Sequence, residues 1–339
     1  MAKRKYSKRS KIEPSVQTFT FTNIVTTPGA ASVNYIDLSQ VASLINRRFY
    51  RQGINWAVAG FKILSDGNPV SLQMNKLPNT WVMSNAWEKS MRTWNKMNRE
   101  ALAETESVRP KFLDFKIYAN RQHHVAGYAA NLLPVSGTGD IATAGEWEPS
   151  KIYIPNATNA APATTQDLEM IAVGASFQGA GASGLDSVSC IEGYAASRGL
   201  PNVLDPNAPG DATDTGGATP ENWMAALFND GLVQTSEVIE DMITENNIAP
   251  YPFENDGVNV DTQYPGGANQ MTGLETHDIE FVTGTTIGGT SRMKGGNFPC
   301  GLIEFAVANN GTALSNLTLQ IDLVPGYHRG YLCEPMTEM

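Results

Sequence analysis

Alternation of apolar and polar residues sets the pattern of this chain. Between Val16 and Val25, Gln17, Phe19, Phe21 and Val25 share one face and Thr18, Thr20 and Thr22 the other, the period of a half-buried strand. Pro28-Gly29 breaks that run, and Leu38, Val41, Ile45, Arg48 and Phe49 then recur at helical spacing behind Ser39 as the expected cap. Trp56 to Leu64 and Val70 to Met74 alternate again, and the turn cluster Ser65-Asp66-Gly67-Asn68-Pro69 between them predicts a hairpin. From Ser84 the period lengthens: Trp87, Met91, Trp94 and Met97 stand three or four apart, predicting an amphipathic helix near 84–103. Leu113, Phe115 and Ile117 alternate against Asp114 and Lys116, predicting a strand from Lys111 to Tyr118.

Further along, Ile152 with Ile154, and Leu168 to Val173, read as short strands among Gly, Ala, Ser, Thr and Pro clusters that suit long surface loops. From Ser187 to Pro250 the spacing is helical, which predicts a helical insertion over 187–250. Alternation then returns in Ile279 and Phe281, in Ile303, Phe305 and Val307, and in Leu317, Leu319, Ile321 and Leu323. That makes roughly nine or ten strands. There is no βαβ alternation and no repeat at a fixed period, so a doubly wound fold and a solenoid both lose support. The expected fold class is all-β: an antiparallel two-sheet sandwich with helical insertions, formed by 15–339 as one domain.

Charge adds a second feature. Six cations, Lys3, Arg4, Lys5, Lys8, Arg9 and Lys11, fall in the first twelve residues with no acidic residue among them, although the net charge is −10. Without these six the remaining chain stands at −16. Residues 1–14 have no apolar periodicity with which to bury themselves, so they are expected to form a disordered arm that binds nucleic-acid phosphates. A solubilising tail or nuclear-import tag is the plainer reading of the same residues. On the 84–103 helix Arg92, Lys96 and Arg99 follow an i, i+4, i+7 line, a candidate secondary basic face for nucleic acid or a subunit contact.

Catalytic signatures do not emerge. Cys190, Cys300 and Cys333 form neither an even disulfide framework nor a C-x-x-C pair and read as small buried hydrophobes. Of four histidines, His123 and His124 are adjacent on an expected strand or strand end, where their side chains point to opposite faces and share no ion. Gly288 to Gly296 (GGTSRMKGG) lacks phosphate-loop spacing and reads as a loop. Asp205 to Gly210 begins like a calcium loop but has Pro209 in fifth place and Gly216 in the twelfth, so a surface loop is expected there. Glu237, Glu240, Asp241 and Glu245 read as a solvated helix face. The expectation is therefore a non-enzyme with no catalytic residue, cofactor or metal ligand. No apolar run reaches the roughly eighteen residues of a membrane span.

The arm AKRKYSKRSK, a strand directly after it, eight or more strands with long loops, and the terminal strand NLTLQIDLVPGYHRGYL together resemble single-jelly-roll capsid proteins. Among these the chain looks most like those of small circular Rep-encoding single-stranded DNA viruses. The resemblance implies a jelly roll of eight core strands in two facing sheets and self-assembly of about sixty copies, or a multiple, into an icosahedral shell. It also implies single-stranded DNA held inside by Lys3, Arg4, Lys5, Lys8, Arg9 and Lys11, and location in the virion, compatible with assembly in the host nucleus. This arm departs from the pattern in being short, Lys-rich and joined to an acidic body. Sixty copies bring roughly 360 charges, a small fraction of the phosphates in a genome of a thousand or more nucleotides. The alternative class is a soluble β-sandwich binding module, for carbohydrate for example, with a basic targeting tail. A jelly-roll hydrolase ranks below both.

Overall fold

The computed structural model describes residues 14–103, 114–155, 165–176, 179–198, 223–226, 273–283, 285 and 289–338. The arm cations Lys3, Arg4, Lys5, Lys8, Arg9 and Lys11 lie outside the described residues. So do the loop at Asp205, the acidic row from Glu237 to Glu245 and most of the 187–250 insertion.

The elements in order are β1 (Thr18–Thr26), β2 (Ala31–Asp37), α1 (Leu38–Asn46), β3 (Ile54–Ser65), β4 (Val70–Lys76), α2 (Trp81–Ala103), α3 (Arg121–Ala126), β5 (Lys151–Pro155), β6 (Thr165–Ile171) and β7 (Asp186–Ser189). They continue with α4 (Cys190–Arg198), α5 (Trp223–Ala226), β8 (Glu275–Val282), β9 (Thr290–Phe298), β10 (Leu302–Asn309), β11 (Ser315–Leu323), β12 (Pro325–Gly326), β13 (Gly330–Tyr331) and β14 (Cys333–Pro335). One sheet runs β1-β11-β3-β9, with β14 also paired to β3, and the other runs β2-β10-β4-β8. Every pairing in these two sheets is antiparallel. The eight main strands nest, first with last, second with seventh, third with sixth and fourth with fifth, which is the strand order of a jelly roll. The inward faces share one core that includes Phe19, Phe21, Phe61, Ile63, Leu72, Phe298, Phe305, Leu319 and Ile321. A second core joins α2 and α4 to the small sheet β5-β6-β7, whose β6–β7 pair is parallel.

Several expectations change. β1 does not keep its period to the end: Asn23 takes φ 62 and a bulge follows Phe21, so Ile24 and Thr26 turn inward and Val25 is exposed. The turn at Ser65 to Pro69 makes no hairpin, because β3 belongs to one sheet and β4 to the other. The cap of α1 is Asp37, whose carboxylate accepts from the Ser39 and Gln40 amides, rather than Ser39. Residues 114–117 are not a strand. Their amides go to side chains, Lys116 N to Ser150 Oγ and Ile117 N to Gln52 Oε1, and only Tyr118 bridges to a strand residue, Ile171. Ser187 to Ser189 is strand, not helix. Thr290 to Phe298 is β9 rather than a loop, and Gly295 there is required: a Cβ would lie 2.3 Å from the Ala59 and Val58 carbonyl oxygens.

Candidate functional site

The arm joins the sandwich at a fixed place. Arg48 Nη1 donates to the Pro14 carbonyl at 3.2 Å, and Val16 N donates to Asn46 Oδ1 at 3.0 Å. Tyr331 Oη donates to Val16 O at 2.6 Å and accepts from Asn46 Nδ2 at 2.7 Å. The first described residues are therefore held between the end of α1 and the β13 turn. Both flanking segments carry arginine, three of them after α1 and one at the β13 turn. Arg47, exposed, closes α1 in the left-handed region at φ 54, and Arg48 and Arg51 follow. From the other side comes Arg329, also exposed and at φ 50, whose Nη1 donates to the Phe49 carbonyl, while its own carbonyl accepts from Tyr50 Oη at 3.0 Å. Reading by periodicity missed this cluster because Arg48 fitted a helix face. The spacing R-R-x-x-R in an acidic body was the signal available.

Beside these arginines lies a cleft of about 630 Å³. Trp87, Met91, Trp94 and Phe115 form its apolar wall, and Arg51, His328, Arg329, Asn95 and Asp114 supply its polar groups. Phe115 packs against both tryptophans, with ring centroids 5.8 Å from Trp87 and 5.6 Å from Trp94. Gly53 makes room for the wall, since a Cβ there would lie 2.3 Å from Trp87 Cη2. Burial raises the Asp114 carboxyl, while Lys116, paired to it at 3.0 Å, and Arg51 act in the opposite sense. Lys116 in turn sits 4.4 Å from the Trp147 ring centroid, a cation–π contact.

The expected secondary basic face, Arg92, Lys96 and Arg99, is exposed on α2. Arg92 pairs with Glu88 one turn back, and Arg99 Nε donates to the Asn95 carbonyl at 3.3 Å. Asn95 stands three residues after Arg92 and four before Arg99, so the cleft and this face adjoin along one helix.

Buried polar groups elsewhere hold the structure together. Asp37, fully buried and with its carboxyl raised by that burial, accepts from Gln52 Nε2 at 3.1 Å and Trp147 Nε1 at 3.0 Å as well as capping α1. His123 and His124 lie on α3 rather than a strand, and both are buried. His123 Nδ1 accepts from Ala119 N at 3.1 Å, so Nε2 carries the proton and donates to Asn131 Oδ1 at 2.9 Å. The ring stacks on Tyr35 at 4.4 Å, and burial, aided by His124 and opposed by the Asn131 bond, lowers its pKa to about 3. His124 Nε2 instead lies 3.0 Å from Glu169 Oε2. Burial pushes the Cys190 and Cys333 thiols up to about 12 and Cys300 well above its usual value. These thiols stay protonated near neutrality. Among the described residues no group of three or more His, Cys, Asp or Glu side chains converges as a metal site, and no helix is long and apolar enough to cross a membrane.

The outward face of the β2-β10-β4-β8 sheet is a second surface of interest. Strand register places Val33, Ala306, Gln73 and Ile279 in one row across it and Ala31, Ala308, Ser71 and Phe281 in the next. The alternating apolar residues of β8, Ile279 and Phe281, lie on this outward face and are 51% and 65% exposed. Val282 is the inward residue. Small side chains in the middle of the sheet and larger apolar ones on its edge strands leave a broad, weakly polar surface. No family model matches this chain, and neither does any curated protein or solved structure.

Proposed function

We infer that this chain is a capsid subunit, which self-assembles into a closed icosahedral shell and packages a single-stranded genome, DNA on the resemblance above, through its basic N-terminal arm. One observation carries the reading: on a jelly-roll sandwich, the polycationic segment meets the body among Arg47, Arg48, Arg51 and Arg329. Positive charge is thus gathered at the arm's exit in a chain whose net charge is −10. Such gathering favours a polyanion on that side and leaves other surfaces free for subunit contacts. The outward sheet face with Val33, Ile279 and Phe281 supports lateral association, since exposed apolar patches mark interaction sites. These arginines and the α2 face add to an arm that is too short to neutralise a genome alone. On this reading the protein resides in the virion.

The runner-up, a β-sandwich binding module with a basic targeting tail, draws on the cleft of about 630 Å³ beside α2. Electron microscopy of the purified full chain separates the two. Closed particles of uniform diameter are expected, and monomers or dimers across pH and salt would favour the module.

A further inference from the structure

We propose that the outward face of the β1-β11-β3-β9 sheet is a second contact for the packaged strand, with Lys62, Arg292 and Lys294 gripping its phosphates. The proposal rests on the genome-packaging reading and adds a surface separate from the arm. Register is the first argument. Thr20, Gln320, Lys62 and Arg292 form one row across the four strands, and Thr18, Asp322, Gly60 and Lys294 form the next. Phe19, Phe61, Met293 and Ile321, which alternate with them, are buried, so both rows point away from the core. The segment GGTSRMKGG thus presents its two cations from a strand, beside a third on β3.

Charge is the second. Lys62 stands directly opposite Arg292, and like charges so placed are destabilising unless an anion answers them. Among the described residues none of the three charged ends has an ion-pair or hydrogen-bond partner. The carboxylates that border the patch are engaged already, Asp322 by the Thr18 hydroxyl at 2.6 Å and Asp278 by the Lys294 amide at 2.9 Å. Gly60 puts no side chain between Asp322 and Lys294, which leaves the patch open. Arg292 and Lys294, two residues apart on one strand, are spaced about 7 Å, which suits successive phosphates better than the oxygens of one small anion. The two rows hold no aromatic residue, so they offer backbone contact without a means of reading bases.

Position is the third. Thr18 opens β1 directly after the arm, and three strand spacings of about 4.8 Å put Lys294 about 14 Å from it across the sheet. Thirteen extended residues reach at most about 45 Å, so the arm and this face can hold one strand together. The other outward face carries Val33, Ile279 and Phe281 instead. One face of the sandwich therefore suits a polyanion and the other a protein surface.

Acetylation of lysines in the unassembled full chain, with and without short oligothymidylate and followed by peptide mapping, tests this. Lys62 and Lys294 are expected to lose most of their reactivity in the complex, as are the arm lysines, while Lys151 on the small sheet keeps its own. In the variant Lys62→Gln/Arg292→Gln/Lys294→Gln the slope of log K against log salt should flatten by about 2, from three phosphate contacts at roughly 0.7 each, with the thermal midpoint unchanged or raised. Protection confined to the arm, or a slope unchanged in the variant, would overturn the face contact and leave the packaging role intact. Protection of Lys62 and Lys294 by heparin but not by oligothymidylate would overturn it in favour of a sulfated polysaccharide. Their protection on assembly without DNA would overturn it in favour of a neighbouring subunit. No protection of any lysine by oligothymidylate would count against packaging itself, and the face contact would go with it.

Discussion

Acid should destabilise the unassembled subunit through His123 in a measurable, separable way. The ring is sealed between Tyr35 and the Asn131 side chain as the neutral tautomer, and its pKa falls from 6.5 to about 3 in the folded protein. The unfolded chain binds this proton and the folded one does not. The stability that neutral His123 confers is thus complete above about pH 6.5, declines as pH falls below it, and is lost entirely below about pH 3. Each pH unit in that window costs about 1.4 kcal/mol. Going from pH 7.5 to 5 should therefore remove about 2 kcal/mol, and the whole window about 5 kcal/mol. Other groups titrate as well, so the comparison is with His123→Gln, which offers an amide to Asn131 but takes up no proton. Urea denaturation followed by tryptophan fluorescence, at pH 7.5 and pH 5, gives four stabilities. The wild type should lose about 2 kcal/mol more than the variant, whatever the variant's stability at pH 7.5. Equal losses in both proteins would refute the assignment of His123 as a buried neutral ring.

Three further outcomes follow from other parts of the molecule. Phe281→Asp should leave the thermal midpoint of the unassembled subunit nearly unchanged, because Phe281 is 65% exposed, yet raise the concentration needed for assembly at least tenfold; light scattering reads this, and unchanged assembly would remove the outward sheet face from the contacts. Deleting residues 1–12 should leave the thermal midpoint where it is and weaken binding to single-stranded DNA, with a full-chain salt slope for the arm no steeper than about −4; equal binding by the truncated chain would return the arm to a targeting role. Gly53→Ala should cost about 1–3 kcal/mol, since its Cβ must displace Trp87, and calorimetry showing no loss would contradict the packing of α2.

The two-sheet core was legible because it obeys a local rule. Ile303, Phe305 and Val307, and then Leu317, Leu319, Ile321 and Leu323, alternate in sequence and are all buried, since each strand has one face in the core. Reading failed where non-local structure decides. Nothing local to Ser65 to Pro69 says that its two strands enter different sheets. The left-handed Asn23 changes the phase of β1 after three correct positions, so Val25 faces out. In β8, Ile279 and Phe281 have the spacing of core residues but lie on the face away from it, and apolar spacing alone cannot say which face is inside. Phe115 and Ile117 are buried as their alternation implies, but so is Lys116 between them, and Asp114 is partly buried, because Ser150 and Gln52 side chains take the place of a neighbouring strand.

The candidate site divides in the same manner. Arg92, Lys96 and Arg99 were visible as a line on a helix and are exposed as expected. The cluster at Arg51 and Arg329 depends on bringing the end of α1 beside the β13 turn, a contact between distant segments that periodicity does not reveal.

Nuclease protection tests the central claim most directly. Full-length protein assembled in the presence of single-stranded DNA is separated by sedimentation, treated with nuclease, and the DNA that survives in the particle fraction is measured, in parallel with protein lacking residues 1–12. The account predicts a fast-sedimenting particle that shields DNA with the full chain and shields much less without the arm. DNA digested equally in both, with the protein remaining at subunit size, would contradict it.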